Sequence, residues 1–381
     1  MSFARRGENY RRNLFFIGRE HLLHHLHEQL GPGKEVAITP SSALHGLGGI
    51  GKTQTALEHA YRYAQYYTAI FWIEAETTES IGTSFLHIAE LLGLPEYQDT
   101  DQSQIIVAVQ RWLTNQHGWL LIWDNVEHLE LLQHWLPPTR QGALLFTTRR
   151  RALGTLAQGI ELPTMTQEEG LLFLLRRAKM LSPEASGEQM RQLFQEIPSM
   201  ATTAQKLVTA LGGLPLALDQ AGAYVEETSR RLEDYLELYQ MRRAELLKRR
   251  GDAILDHPAS VVTTWSLSFE QVERANAAAA DLLRICAFLY PDAIPEELFR
   301  ERTIFLSEGL ESVVIDTIQL HEAFRTVSVY SLLKHHVEER TFSIHRLVQA
   351  VLWERMGEQE REEWQWHVVR SLNAAFPQIM P

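Results

Sequence analysis

Residues 46–53, which read GLGGIGKT, constrain this chain more than any other part of its sequence. They fit the pattern G-x-x-x-x-G-K-[ST], in which a glycine-rich turn joins a strand to a helix. A short apolar run precedes the turn, and an alanine-rich helical stretch follows it. Glycines let the backbone turn tightly and aim its N–H groups inward, and the helix start adds the positive end of its dipole. The segment therefore predicts a binding site for a polyphosphate.

Lysine is rare in this chain, which makes its use in the loop informative. Only six of the 36 basic residues are lysines, and Lys52 is the only lysine between positions 35 and 178. We predict that the compact charge of Lys52 contacts the β- and γ-phosphates and that the Thr53 hydroxyl binds Mg²⁺.

Two further polar residues follow predicted buried strands. Asp124 comes directly after WLLIW (residues 119–123), where a carboxylate can orient Mg²⁺-bound water. Arg149 follows a strand at residues 143–147, from which a guanidinium can reach a γ-phosphate. Asn125 stands beside Asp124, where many related NTPases have a second acid. Because an amide cannot accept a proton from the attacking water, we expect slow hydrolysis.

The order of predicted elements indicates the fold class. Over the first 165 residues short apolar strands alternate with amphipathic helices, which predicts an α/β P-loop domain with a parallel sheet and helices on both faces. An all-helical segment follows, and then helices with two strand-like pieces at 330–333 and 340–344 that are typical of a winged helix. We predict a nucleotide-binding domain at 1–165, a helical domain at 166–256, a winged-helix domain at 257–357 and a terminal helix at 358–381.

Composition excludes several classes of protein. The 381-residue chain has a net charge of −12, and an acidic surface repels phosphate backbones, so we expect no nucleic-acid partner. A single cysteine, Cys286, excludes intrachain disulfides and cysteine-based zinc sites. No stretch approaches the roughly 18 apolar residues of a membrane span, and no signal core follows the N-terminus. We therefore expect a cytoplasmic protein without a membrane partner.

The order of the motifs resembles the NB-ARC branch of the STAND signal-transduction NTPases, and most of all bacterial members that carry tetratricopeptide repeats. The motifs that carry this resemblance are FFIGRE (15–20), GLGGIGKT (46–53), LLIWDNVE (120–127), LLFTTR (144–149), GGLPLALDQAGAY (212–224) and SIHRLVQAV (343–351). The resemblance covers about residues 15–377, which is nearly the whole chain.

The resemblance implies a set of nucleotide-binding residues. Ile17 and Arg19 match the stretch that contacts adenine and ribose. Asp124 and Arg149 match the acid of the metal site and the γ-phosphate sensor. The residues that match the phosphate cradle are Gly49, Ile50, Gly51, Lys52, Thr53 and Gln54.

Two residues from later motifs extend this set. Pro215 matches the proline that packs on the base. His345 matches the histidine that reaches the β-phosphate of ADP.

The family's mechanism implies an ATP/ADP-dependent signalling switch. The ADP-bound state is a closed, autoinhibited monomer, and exchange for ATP opens it and permits homo-oligomers. Only 14 residues precede Phe15, and no repeats follow the last helix. We therefore expect a core fragment whose trigger is sensed by a C-terminal repeat array absent here.

Two alternatives stay open at this stage. A scaffold that holds its nucleotide without hydrolysing it would have the same binding site. Asn125 is compatible with this alternative, because an amide cannot accept the proton of the attacking water. A DNA-associated AAA+-like ATPase would also join a P-loop domain to a winged helix. The acidic charge and the absence of arginine from the helix that begins PLALDQ argue against it.

Overall fold

The computed structural model describes residues 12–31, 41–98, 102–126, 128–137, 141–151, 153–248, 261–299, 317–330 and 332–375. The chain divides into two compact units. The first contains Met1–Gly46 and Ile50–Pro163, and the second contains Leu47–Gly49 and Thr164–Pro381. The boundary that we predicted between residues 256 and 257 lies outside the described residues.

A five-stranded parallel sheet organises the first unit. Its strands are β1 (Ser41–His45), β2 (Ala69–Glu74), β3 (Trp119–Val126), β4 (Ala143–Thr148) and β5 (Gln158–Glu161). They lie in the order β2-β3-β4-β1-β5, and every neighbouring pair is parallel. All six residues of β4 are buried, which requires cover on both faces of the sheet. The predicted α/β P-loop fold is confirmed.

The helices of this unit are α1 (Glu20–Leu30), α2 (Lys52–Arg62), α3 (Thr78–Leu91), α4 (Gln102–Asn115) and α5 (Leu129–Leu132). Trp123 of β3 packs in the main core between Phe85 of α3 and Phe146 of β4. Burial of such aromatic side chains supplies much of the stabilisation of a sheet like this. The packed core holds the carboxyl ends of β1, β3 and β4 at one edge of the sheet.

A cluster of histidine and tyrosine rings lies beside α2. The His27 ring of α1 stacks on Tyr63 with 3.9 Å between ring centroids. His59 is fully buried, and its Nε2 atom lies 3.1 Å from the Tyr67 hydroxyl. Burial, with a smaller contribution from His27, lowers the pKa of His59 to about 3. The imidazole therefore stays neutral in the folded protein at ordinary pH.

We expect His59 to make the stability of the first unit depend on pH. The unfolded histidine takes up a proton near its ordinary pKa of 6.5, whereas the folded one stays neutral down to about 3. The unfolded state binds more protons in that window, so the free energy of unfolding falls by about 2 kcal/mol between pH 7 and pH 5. His59→Gln should remove this part of the dependence, as urea unfolding of both proteins at the two pH values would measure. Equal losses in the two proteins would contradict the assignment.

The second unit is mainly helical. Its helices are α6 (Gln167–Arg177), α7 (Gly187–Glu196), α8 (Pro198–Ala210), α9 (Pro215–Thr228), α10 (Leu232–Lys248), α11 (Val261–Ala275), α12 (Ala277–Cys286), α13 (Thr317–Val329), α14 (Arg346–Arg355) and α15 (Glu358–Ala375). A small antiparallel sheet in the order β6-β8-β7 joins β6 (Ile294–Pro295), β7 (Leu333–His336) and β8 (Thr341–Ile344). The helical segment after the P-loop domain is confirmed, and the winged-helix topology stays a prediction.

The first strand of the predicted hairpin lies three residues later than expected. We placed it at 330–333, but β7 runs Leu333–His336, and its two histidines pair with Phe342 and Thr341 of β8. The His335 ring stacks on Phe342 at 4.5 Å, and His336 Nε2 lies 2.9 Å from the Ser343 hydroxyl.

Cys286 is buried, as its apolar surroundings indicate, and burial raises the pKa of its thiol to about 12. In the described parts of the chain no helix has the length and apolar character to cross a bilayer.

Candidate nucleotide-binding site

The loop between β1 and α2 has the backbone form that an anion site requires. Gly46 and Gly51 adopt φ angles of 144° and 89°, a region that residues with side chains rarely enter. Gly51 is also the N-cap of α2, so the helix begins at Lys52. The Lys52 side chain is buried, and its ammonium donates a hydrogen bond of 2.8 Å to the Gly46 carbonyl. This bond keeps the lysine charge inside the curve of the loop.

Arg19 supports the same loop in the first unit. Its guanidinium donates to the carbonyls of Ile50 and Gly51, the latter at 3.1 Å, and to the Thr55 hydroxyl at 2.5 Å. Arg19 itself has a left-handed backbone with φ of 62°. These contacts attach the residue to the loop backbone. The contact with adenine or ribose that the resemblance implies stays a prediction, as it does for the half-buried Ile17.

A corner of oxygen ligands lies where β3 and β4 end. The Asp124 carboxylate accepts hydrogen bonds from the Thr53 hydroxyl at 2.9 Å and from the Thr147 hydroxyl at 2.5 Å. Desolvation raises the pKa of Asp124, while these two hydroxyls and the charge of Lys52 act against the rise. A bound cation would favour the charged carboxylate further.

The donor set of this corner fits a magnesium ion. Mg²⁺ prefers carboxylate and hydroxyl oxygens and is usually held by one or two protein ligands together with phosphates. Thr53 and Asp124 supply these oxygens next to a phosphate loop. The sequence predicted both ligands from separate motifs, and tertiary structure brings their side chains into contact.

Thr147 is part of this corner, although no motif argument singled it out as a ligand or support. Its hydroxyl donates to Asp124 and accepts the backbone N–H of Asn125 at 2.9 Å. Asn125 has a left-handed backbone with φ of 59°, at the point where β3 and β4 lose their regular register. A threonine at the end of a strand adjacent to the acid was the available sequence signal.

The arginines after β4 differ in their surroundings. Arg150 pairs with Glu130 at 3.5 Å, and Arg151 pairs with Glu161 at 3.1 Å. Arg149 lies directly after β4 and is half-buried. The sensor role of Arg149 stays a prediction. Gln54, in the first turn of α2, buries its Oε1 atom without a hydrogen-bond partner among the described residues.

The tip of the loop, Leu47–Gly49, belongs to the second unit. Pro215 occupies the first turn of α9, a position that suits proline because its nitrogen needs no hydrogen there. The backbone N–H of Leu216 donates to the Gly49 carbonyl at 3.2 Å. The indole N–H of Trp265, on α11, donates to the Gly48 carbonyl at 3.1 Å. Sequence reasoning missed Trp265, because it lies in a helix without a recognised motif.

His345 lies at the N-cap of α14 in the second unit. Its Nδ1 atom accepts the backbone N–H of Leu347 at 3.2 Å, so the ring proton of the neutral form lies on Nε2. Nε2 donates to the Gly212 carbonyl at 3.2 Å, and the ring meets that of Trp265 edge-on at 5.6 Å. The contact with the β-phosphate that the resemblance implies stays a prediction.

Comparison with known proteins agrees with this geometry. Residues 19–181 match the NB-ARC domain family, and residues 270–361 match a family described as a domain of unknown function, DUF7779. A nucleotide-binding leucine-rich repeat (NLR)-like protein of Hyaloscypha variabilis is 28% identical over 369 residues, covering 88% of this chain and 34% of its own length. The regulatory protein AfsR of Streptomyces coelicolor is 27% identical over 281 residues, covering 70% of this chain and 26% of its own length.

Among solved structures, the chain is similar to a STAND protein with a tetratricopeptide repeat sensor from Pyrococcus horikoshii. That comparison has a TM-score of 0.38 and 16% identity and covers 99% of this chain and 48% of the other. The chain spans between about a quarter and a third of the length of the curated relatives it matches.

The phosphate loop, the acid at the end of β3 and the parallel sheet define a P-loop NTPase. The match over residues 19–181 shows that this part of the chain is an NB-ARC domain. The resemblance to NB-ARC proteins that was drawn from the motifs is therefore confirmed.

We predict that Thr147→Val raises the Mg²⁺ concentration needed for half-maximal nucleotide binding about tenfold. The variant keeps the shape of the side chain but loses the bonds to Asp124 and to the Asn125 backbone, and a bond to a charged group contributes about 1.5–3 kcal/mol. Thr147→Ser, which keeps the hydroxyl, is the matched control and should resemble the unmodified protein. Calorimetric ADP titrations at a series of Mg²⁺ concentrations measure the effect. The same Mg²⁺ requirement in the valine variant would rule out this role.

Proposed function

We propose that this chain is an ATP/ADP-dependent switch in which bound ADP keeps a closed, autoinhibited state and exchange for ATP opens it. The observation that carries the proposal is the position of Leu47–Gly49. These residues belong to the phosphate loop in sequence, yet they pack within the second unit, where Leu216 and Trp265 bind their carbonyls. A change in the loop on nucleotide exchange would strain or release those bonds. In this proposal the loop and its bonds form a bistable element that the bound nucleotide biases.

The proposed nucleotide contacts follow the motifs. Ile17 and Arg19 serve the base and ribose, Lys52 and the loop amides bind the phosphates, and Thr53 with Asp124 holds Mg²⁺. Arg149 senses the γ-phosphate. Two hydrogen bonds support these roles: the Lys52 ammonium donates to the Gly46 carbonyl of the loop, and the Thr53 hydroxyl donates to the Asp124 carboxylate.

His345 and Pro215 would make the response specific for the bound nucleotide. In this proposal Pro215 packs on adenine, and His345 exchanges its bond to the Gly212 carbonyl for one to the β-phosphate of ADP. A neutral imidazole with a proton on Nε2 is a suitable donor to a phosphate oxygen. The proposed modules are the nucleotide-binding, helical and winged-helix domains predicted above. The ADP state is a monomer, and the ATP state can form homo-oligomers.

Purified protein should retain an adenine nucleotide, predominantly ADP, and Lys52→Ala should lose it. The substitution removes the charge that opposes the phosphates but leaves the fold, so the variant should remain folded and melt at a lower temperature for lack of ligand. Denaturing each protein and separating the released nucleotides by anion exchange measures retention. Thr53→Ser, which keeps the proposed hydroxyl ligand, is the control. Guanine nucleotide in the unmodified protein, or full retention by Lys52→Ala, would contradict the proposal.

We further propose slow ATP hydrolysis, well below the enzyme median of about 10 per second. Asn125 supplies no carboxylate, and its backbone N–H is committed to Thr147. Asn125→Asp should raise the rate of phosphate release, since a carboxylate can accept the proton of the attacking water. Asn125→Ser, which has no carboxylate, is the control. A fast unmodified protein would contradict the proposal, and no phosphate release from either protein would favour the nucleotide-locked scaffold instead.

A further inference from the structure

Trp265 binds the phosphate loop from a position that no motif assigns. It lies on α11, 217 residues away in sequence from Gly48, and is almost completely buried. Its indole N–H donates to the Gly48 carbonyl at 3.1 Å. A buried indole N–H normally finds a partner, and here that partner is a peptide group of the loop.

The geometry of the peptide bond gives this contact a consequence for anion binding. In a trans peptide the C=O of one residue and the N–H of the next point in opposite directions. Holding the Gly48 carbonyl towards the indole therefore aims the Gly49 N–H to the opposite side. The N–H groups of such loops are the donors that cradle phosphate oxygens.

The following peptides of the loop are held in the same way. The Leu216 N–H binds the Gly49 carbonyl, which orients the N–H of Ile50. Arg19 binds the carbonyls of Ile50 and Gly51, which orients the N–H groups of the two residues that follow them. The carbonyls of four consecutive residues, 48–51, therefore each accept a hydrogen bond from a donor outside the loop. Trp265 supplies the first of these bonds, and it does so with a side chain.

The indole is itself fixed in place. The His345 ring meets it edge-on with 5.6 Å between centroids, and His345 is held by its bonds to Leu347 and Gly212. A fixed donor costs no reorganisation when the anion arrives, so it favours binding by preorganisation.

We infer that Trp265 is a positioning residue of the phosphate site, which aims the Gly49 N–H at the diphosphate group of the nucleotide. The inference rests on the proposed function, because it requires that the loop binds a nucleotide. It assigns Trp265 to recognition of the phosphates and not of the base.

The test compares Trp265→Phe with the unmodified protein for three ligands: ADP, inorganic pyrophosphate and adenosine. Phenylalanine keeps an aromatic ring for His345 but has no N–H group. Loss of one oriented hydrogen bond should weaken ADP and pyrophosphate binding by the same factor, about five- to tenfold, and leave adenosine binding unchanged. Trp366→Phe, at a position 64% exposed on α15, is the matched control and should bind all three ligands normally.

A second variant distinguishes the loss of the hydrogen bond from misfolding caused by the smaller buried ring of phenylalanine. Trp265 is replaced by its benzothiophene analogue, in which sulfur takes the place of the indole N–H and the shape is nearly kept. Without ligand, the analogue and the unmodified protein should have the same circular dichroism spectrum and the same melting temperature. Pyrophosphate binding by the analogue should fall as much as it does in Trp265→Phe.

The outcomes separate the inference from the proposal beneath it. Failure of the unmodified protein to bind ADP and pyrophosphate would overturn both. If the unmodified protein binds them and the benzothiophene analogue binds them equally well, the inference is wrong and the proposed switch stands. A loss of adenosine binding as large as that of pyrophosphate would assign Trp265 to the base and also overturn the inference.

Discussion

The rest of the structure depends on the orientation of the peptide groups in the phosphate loop, whose N–H groups must face an anion. A run of backbone N–H groups can face one side only if the carbonyls on the other side have partners, because each peptide group carries both. Arg19 satisfies two of these carbonyls in the first unit, and Leu216 and Trp265 satisfy two others in the second. The glycines permit the turn, and the hydrogen bonds from these donors determine how its peptide groups are oriented.

The same principle applies to Asp124, the acid of the predicted metal site. Asp124 lies in surroundings that raise its pKa, and it keeps its place through the hydroxyls of Thr53 and Thr147. A carboxylate in this position gains most from a cation, since the cation restores the interactions that desolvation removed. Asp124 therefore links the start of α2, which follows the phosphate loop, to β4. The backbone N–H of Asn125 donates to Thr147 and so joins the same network.

His345 joins two parts of the second unit through the two nitrogens of one ring. It caps α14 through Nδ1 and binds the GGLP segment through Nε2, so its ring orientation is determined without a nucleotide. Under the proposed function only the Nε2 bond is exchanged on binding ADP, while the cap persists. Such an exchange has a small energetic cost, as a switch between states of similar free energy requires.

The sequence by itself determined the parallel α/β fold, the phosphate loop and its lysine, and the family, because glycine spacing and apolar strands are local properties. It also indicated Thr53 and Asp124 as separate candidates. Tertiary structure alone decided that Thr147 would bind Asp124 and that Trp265 would bind Gly48, since both contacts join residues distant in the chain. It also placed β7 later than the apolar pattern indicated, because ring stacking on Phe342 outweighs the polarity of His335. Periodicity reports which residues are buried, whereas a hydrogen bond between distant residues depends on how the elements pack.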